Sequence, residues 1–282
     1  MKRNNLYIIG LGKHVRSKII PAIEKLNITI NGILSNNKDH NYPDLSKEYL
    51  NKASYKGANF IISGIPEKHY ELLNKISYED ANVLIEKPLF VDFETLHQHK
   101  NQFINNQLTE AMMYKFNLGF RYLRYLHKIE EKKIQSLRLQ FVLPLNLKSL
   151  KQSFRYTKSI KNSIIYDIGY YIFDLLWSLN VDILNINIKS INWFPNKILK
   201  NIRVELECAN SSIHYNVNFE IGYGDVYMNK VSMMLENNNV VIEPFFSGRE
   251  GDVNFTKIFK KYFNKVKKRS KNSYEKMIKY WY

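Results

Sequence analysis

Leu6-Tyr7-Ile8-Ile9-Gly10-Leu11-Gly12-Lys13-His14-Val15 is the stretch on which the fold turns. Four apolar residues end in a glycine, and a second glycine follows two positions later. Gly10 permits a tight turn at the end of a strand. Gly12 removes a side chain where backbone has to approach a pyrophosphate. The helix that opens at Lys13 and His14 offers unbonded N–H groups to such an anion, and the His14 side chain could reach it too. The third glycine of a dinucleotide fingerprint is replaced by Val15, so the helix is expected to stand slightly off the strand. A lone Gly-x-Gly also occurs in ordinary turns; its position after the first strand of an alternating region gives it weight.

That alternation runs outward from the loop. Apolar runs at 28–35, 58–65, 81–88 and 108–116 are separated by helix-compatible segments, one of them expected from an Asp92 cap to Asn106. Short buried strands alternating with helices predict a parallel sheet covered on both faces, a Rossmann fold over residues 1–118. The second strand ends in Leu34-Ser35-Asn36-Asn37-Lys38, with no acid before Asp39. An acid there would bind a ribose 2′-hydroxyl; Ser35, Asn36 and Lys38 instead suit a 2′-phosphate, which favours NADP over NAD. The other reading of this loop is that it does not discriminate.

Beyond Phe116 the apolar runs lengthen and several alternate with polar residues, at 134–145, 183–194, 201–209, 211–222 and 226–235. This predicts an α+β domain over 119–255 with an open, mostly antiparallel sheet, interrupted by a helix at about 163–179. Phe255, Ile258, Phe259, Tyr262, Phe263 and Val266 recur every three or four residues, so 256–282 reads as a basic C-terminal helix. It is expected to pack back on the body; an anionic membrane surface is the alternative.

Composition narrows the partners. The net charge is +16, but residues 256–282 hold ten of the basic residues against one acid, Glu275. The rest is only moderately basic, which argues against nucleic acid. The most apolar stretch, 164–179, carries Asp167 and Asp174 and is too short for a membrane span. The opening residues read as a first strand rather than a signal peptide. Cys208 is the single cysteine, which leaves no internal disulfide or cysteine-based zinc site and suggests a reducing, cytoplasmic setting. His97 and His99 stand two apart on an expected helix and face different ways, so no metal site is expected.

Two further groups bear on chemistry. Lys87 follows a parallel strand, where the ligand crevice of such a sheet opens. A lysine that is to exchange protons near neutrality needs its ordinary value of ~10.4 lowered by burial beside a ligand. On the helix at 163–179, Asp167, Tyr171 and Asp174 stand at i, i+4 and i+7 and share a face. Burying them on an apolar helix is costly without structural pairing or a function.

Glu86-Lys87-Pro88 resembles the glucose-fructose oxidoreductase / inositol dehydrogenase family, which carries this tripeptide at the end of its fifth Rossmann strand. Other segments agree in order and spacing: Gly10-Leu11-Gly12 with Pro21-Ala22, Pro66-Glu67-Lys68-His69, Glu110-Ala111-Met112-Met113-Tyr114-Lys115-Phe116, Phe154-Arg155-Tyr156, and Asp167-Ile168-Gly169-Tyr170-Tyr171-Ile172-Phe173-Asp174. The resemblance implies hydride transfer between NADP or NAD and a sugar hydroxyl or ketone, with a nucleotide-linked or otherwise activated sugar as the expected substrate. It implies Lys87 and Tyr171 as proton-transfer residues, Asp167 beside the substrate, and a cis bond at Lys87–Pro88. It adds Gly64, Pro66, His69, Glu86 and Lys87 to a cofactor-binding set of Gly10, Gly12, Lys13, His14, Val15, Ser35, Asn36 and Lys38. It also implies a homo-oligomer formed through the sheet of the second domain. The chain departs from the family at Val15, in the Ser159-Ile160-Lys161-Asn162-Ser163 segment where glycines usually stand, and in being shorter. A dinucleotide-binding protein without turnover is the rival reading, and a scaffold acting through the basic tail is a third.

Overall fold

A computed structural model describes residues 5–37, 41–44, 57–74, 81–89, 107–151, 163–210, 213–247, 251–259 and 262–282, with positions 94, 97, 153 and 156. Lys38 and most of the helix expected from Asp92 to Asn106 lie outside the described residues. The chain forms two compact units, Met1–Met112 with Tyr274–Tyr282, and Met113–Ser273.

In the first unit, β1 (Leu6–Ile9), β2 (Ile30–Leu34), β3 (Asn59–Ile62), β4 (Asn82–Ile85) and β5 (Gln107–Glu110) form a parallel sheet ordered β2-β1-β3-β4-β5. Every residue of β1 and β3 is buried, as expected for strands covered on both faces. One further parallel bridge, Ile33 with Asp44, extends the sheet outside β2. The order reverses between β1 and β3, so the loops after these strands part and leave a crevice at their carboxyl ends.

The crossover from β1 to β2 opens with a π turn, Val15–Ile19, in which the Ile20 N–H donates to the Val15 carbonyl. It continues as α1 (Ile20–Lys25). Pro21 has no N–H to give the preceding turn, and Val15, where a glycine would allow close helix–strand packing, is fully buried. The helix meets both conditions with a wider first turn. After β3, α2 (Pro66–Asn74) starts on a proline, whose missing N–H costs nothing at a first helical position. Tyr7 and Phe60 stack at 5.4 Å beneath Leu73, Val83 and Ile85 in the core of this unit.

In the second unit, α3 (Leu118–Ile129) is capped by Asn117, whose side chain accepts from the Gly119 N–H. There follow β6 (Ile134–Pro144), α4 (Leu147–Lys151), a π turn at Ile165–Gly169, α5 (Tyr170–Ser178), β7 (Asp182–Trp193), β8 (Leu199–Ala209), β9 (His214–Gly224), β10 (Met228–Leu235), β11 (Asn238–Glu243), β12 (Gly251–Phe259) and β13 (Tyr262–Ser270). The eight strands are ordered β13-β12-β11-β10-β6-β9-β8-β7, antiparallel throughout except for β6 with β9. This is the open, mostly antiparallel sheet that the alternating segments predict. Helices approach one face closely: a Cβ on Gly119 would stand 2.9 Å from Ile242, and one on Gly169 would stand 3.0 Å from Ile221. Leu137, Leu139, Val217, Ile221, Val231 and Met233 fill the core there. No helix among the described residues is long and apolar enough to cross a membrane.

The expected helix over 256–282 is corrected by the structure. Its first part is the strand pair β12–β13, with Phe255 opposite Val266, and among its described residues only Ser273–Trp281 is helical, as α6. The three-to-four spacing of apolar residues was misleading because the segment is rich in Val, Ile, Phe, Tyr and Thr, which suit a pleated surface. The free edge of β11 supplies the backbone partner, pairing Ile242 with Phe255. α6 belongs to the first unit and buries Tyr274, Met277 and Ile278. Truncation after Asp252 removes nearly all of both strands and α6. Its unfolding midpoint should fall by far more than the ~4 °C that 1 kcal/mol shifts a domain of this size. An unchanged midpoint in a thermal melt would show that the hairpin is dispensable.

Candidate functional site

The first group of candidate residues surrounds the crevice of the parallel sheet. Gly10 has φ +92°, and a Cβ there would lie 1.7 Å from the Ser63 carbonyl oxygen. Its N–H donates to the Leu34 carbonyl at 2.8 Å, so the loop is bound to β2 as it leaves β1. At Gly12 the surroundings are the reverse: a Cβ would have nothing within 4 Å. The Arg16 N–H donates to the Gly12 carbonyl, which places the N–H groups of Lys13, His14 and Val15 in a first helical turn, where helical partners are lacking. Gly12, Lys13 and His14 are exposed, whereas Val15 is buried. Open space at Gly12 beside first-turn N–H groups fits a diphosphate.

Ser35 and Asn36 stand at the end of β2, with Ser35 Oγ accepting from the Asn37 N–H at 3.0 Å. The Ser35 hydroxyl proton remains for another acceptor.

The structure joins the glycine loop to the Glu86-Lys87-Pro88 turn. Glu86 Oε1 lies 3.1 Å from His14 Nε2, so this carboxylate reaches the loop. The His14 ring in turn stands edge-on to Tyr274 of α6, with centroids 5.4 Å apart. The Lys87–Pro88 peptide is cis, as the resemblance implies. Lys87 is half-buried just past the end of β4. His69, on α2, is fully buried, with Nδ1 2.9 Å from the Pro88 carbonyl oxygen and Nε2 3.2 Å from that of Gly64. Burial pushes its pKa below the ordinary histidine value, against the opposing pull of those two carbonyls. Both ring nitrogens are therefore turned to backbone.

The second group lies on the helix of the other unit. Asp167 is in the π turn and is buried. Tyr171 is buried on α5, its hydroxyl 3.5 Å from Met113 Sδ and its ring among Tyr114, Phe141 and Phe246. Asp174 is engaged structurally: Tyr114 donates to one carboxylate oxygen at 2.5 Å and Lys115 to the other at 2.7 Å. Burial, then the neighbouring carboxylate, holds the Tyr114 phenol well above its usual pKa. A phenol that stays protonated remains a donor to Asp174.

Two partners went unrecognised in the sequence. Glu110 ends β5, and its Oε1 accepts from the Leu89 N–H at 2.7 Å. An acid at the carboxyl end of a parallel strand was itself a signal, since Gly10 and Lys87 occupy the equivalent places. Tyr274 gave no such signal, being one of several aromatics in the tail. Among the described residues no cluster of ligating side chains suits a metal. Burial raises the Cys208 thiol to about 11, which rules against a nucleophilic thiolate near neutrality.

No protein-family model matches the chain, and no curated protein matches its sequence. Solved structures match its shape. A 3-ketoreductase from Actinomadura kijaniata, solved with NADP and TDP-benzene, superposes with a TM-score of 0.80 at 13% identity, covering 99% of this chain and 88% of that one. An aldose-aldose oxidoreductase from Caulobacter crescentus, solved with glycerol, superposes with a TM-score of 0.80 at 12% identity, covering 98% and 88%. The chain thus has the two-domain fold of these oxidoreductases, a Rossmann domain followed by a large open sheet.

The local geometry sets two stability effects. Gly10→Ala combines a positive φ with a backbone clash and should cost on the order of 3 kcal/mol, whereas Gly12→Ala should melt with the parent. Tyr114→Phe withdraws a donor from Asp174 and should cost about 1–3 kcal/mol in denaturant unfolding. Equal stability of both glycine variants would contradict the close approach at Gly10.

Proposed function

We propose that the protein is an oxidoreductase that uses NADP, in preference to NAD, to move a hydride to or from a sugar carbon, on a nucleotide-linked sugar. The observation that carries this reading is the bridge between the exposed glycine loop after β1 and the Lys87 turn after β4. His14 and Glu86 bring the two loops together at 3.1 Å across the crevice. The complexes of the similar structures support the ligand classes: NADP and TDP-benzene for the 3-ketoreductase, and aldoses in the name of the other.

When bound, the nicotinamide supplies or accepts the hydride, and the chain's own residues do the rest. Gly12 and the first-turn N–H groups bind the diphosphate. Ser35, Asn36 and Lys38 recognise a 2′-phosphate. Lys87 holds or moves the proton at the reacting oxygen, Tyr171 acts as the proton-transfer residue of the helix, and Asp167 orients the substrate. Asp174, already held by Tyr114 and Lys115, keeps the Tyr171 helix in place.

A second copy of the chain is the proposed partner, seated on the sheet face that the helices leave open. That face holds a cavity of about 440 Å³ lined in part by Arg138, Lys189, Arg203, Glu220 and Lys230. Arg138 and Lys230 stand on β6 and β10, while Glu205 and Glu207 stand on β8. On the same face Glu205 pairs with Lys189 and Glu220 with Arg203 within the chain, which leaves Arg138 and Lys230 as the cations available to a second copy related by a two-fold axis.

Three measurements test these assignments. Gly12→Val should abolish NADPH binding in a fluorescence titration without loss of fold, and the parent should bind NADPH more tightly than NADH. On a keto-sugar nucleotide that the parent turns over, Lys87→Ala and Tyr171→Phe should each lower turnover by ~10²–10⁴ with little change in NADPH affinity. Parental turnover in both variants would exclude the proposed proton path.

A further inference from the structure

We infer that His69 and Glu110 are positioning residues that fix the Lys87 turn from its two sides, an inference that rests on the oxidoreductase reading for its catalytic consequence. The turn leaves β4, whose neighbours in the sheet are β3 and β5. From the β3 side, α2 delivers His69, fully buried, to the Pro88 carbonyl at 2.9 Å. From the β5 side, Glu110 Oε1 takes the Leu89 N–H at 2.7 Å. The two bonds grip consecutive residues immediately behind Lys87. The Glu86 N–H, just ahead of it, donates to the Ile62 carbonyl at 2.9 Å and continues the β3–β4 ladder. The backbone is therefore held on both sides of the lysine, by sheet before it and by two side chains after it.

The protonation of His69 decides which loop it holds. Burial favours the neutral ring, which carries a single N–H, yet both nitrogens face carbonyl oxygens. We assign the proton to Nδ1, the nitrogen with the shorter contact, so that Nδ1–H donates to Pro88 and Nε2 faces the Gly64 carbonyl. The ring thus serves the Lys87 turn first. Neither nitrogen is left for a ligand, which changes His69 from the cofactor contact that the resemblance implies into a support for the turn. Glu110 needs only one acceptor oxygen for its part, so a neutral amide oxygen can replace it.

This arrangement predicts a pattern across variants that loss of packing alone would not give. His69→Asn places an amide donor near the Nδ1 position and should preserve the bond to Pro88. His69→Gln carries its donor towards the Nε2 position and should not. Glu110→Gln keeps the acceptor for Leu89; Glu110→Ala loses it. Amide hydrogen exchange of full-length protein, read at Leu89, should quicken about tenfold in Glu110→Ala and stay parental in Glu110→Gln. Turnover on the parent's substrate should fall about 100-fold in His69→Gln and Glu110→Ala, with NADPH affinity and KM near parental, and recover in His69→Asn and Glu110→Gln. Parental exchange at Leu89 in Glu110→Ala, or equal turnover in His69→Asn and His69→Gln, overturns the inference. NADPH titration of the parent reads the underlying function separately: no binding there removes the oxidoreductase reading itself, and with it the catalytic role of the clamp, whatever the exchange at Leu89 shows.

Discussion

The backbone of Gly10 passes so close to Ser63 that a side chain there would stand 1.7 Å from its carbonyl oxygen. That approach is what lets β1 and β3 lie side by side while the loops that follow them part. Ser63 gives its own N–H to Ile9 at 2.8 Å, and Gly10 gives its N–H to Leu34 at 2.8 Å. Three strand ends are thus tied together just below the crevice. A residue restricted to negative φ could not make the turn, and any Cβ would force the strands apart. Everything placed at the carboxyl edge of the sheet, from Gly12 to the Lys87 turn, takes its position from this junction.

The polar groups of the first unit follow from the same constraint. Loops that converge on a crevice bring carbonyls and N–H groups into a dry interior, where each needs a partner. His69 and Glu110 meet that need with side chains, at the Pro88 carbonyl and the Leu89 N–H. The second unit uses a different device: a partly buried carboxylate, Asp174, shared by a phenol and an ammonium. In both units the groups that secure the backbone stand next to the groups with candidate chemistry, because that is where regular hydrogen bonding runs out.

The legible parts of the sequence were those in which a single local rule applied. Gly10 followed a four-residue apolar run at the head of an alternating region, and that position marked the end of a first strand and a tight turn. The parallel strands were readable because burial on both faces leaves no polar alternation. The tail was not readable, because Phe255, Ile258, Phe259, Tyr262 and Phe263 satisfy a helical stripe as well as a strand. What decides between them is the unpaired edge of β11, which no local pattern reveals. The partners of His69 and Glu110 were hidden for a related reason: both grip backbone atoms of Pro88 and Leu89, and backbone carries no mark in a sequence.

The tail also accounts for much of the positive charge. β13 is the terminal strand of the eight-stranded sheet, and its sequence carries Lys265, Lys267, Lys268 and Arg269. Lys267 and Lys268 are exposed. An edge strand offers unpaired N–H and C=O groups to any other strand, and lysines there oppose such pairing by the cost of bringing like charges together or stripping them of water. Part of the chain's positive charge therefore stands on an edge strand. The opposite edge, β7, has only Asp182 and Lys189 as charges and leaves Ile186 and Ile188 more than half exposed. The two edges of one sheet thus differ in kind: the sequence of β13 carries a run of cations, and that of β7 two separated charges of opposite sign.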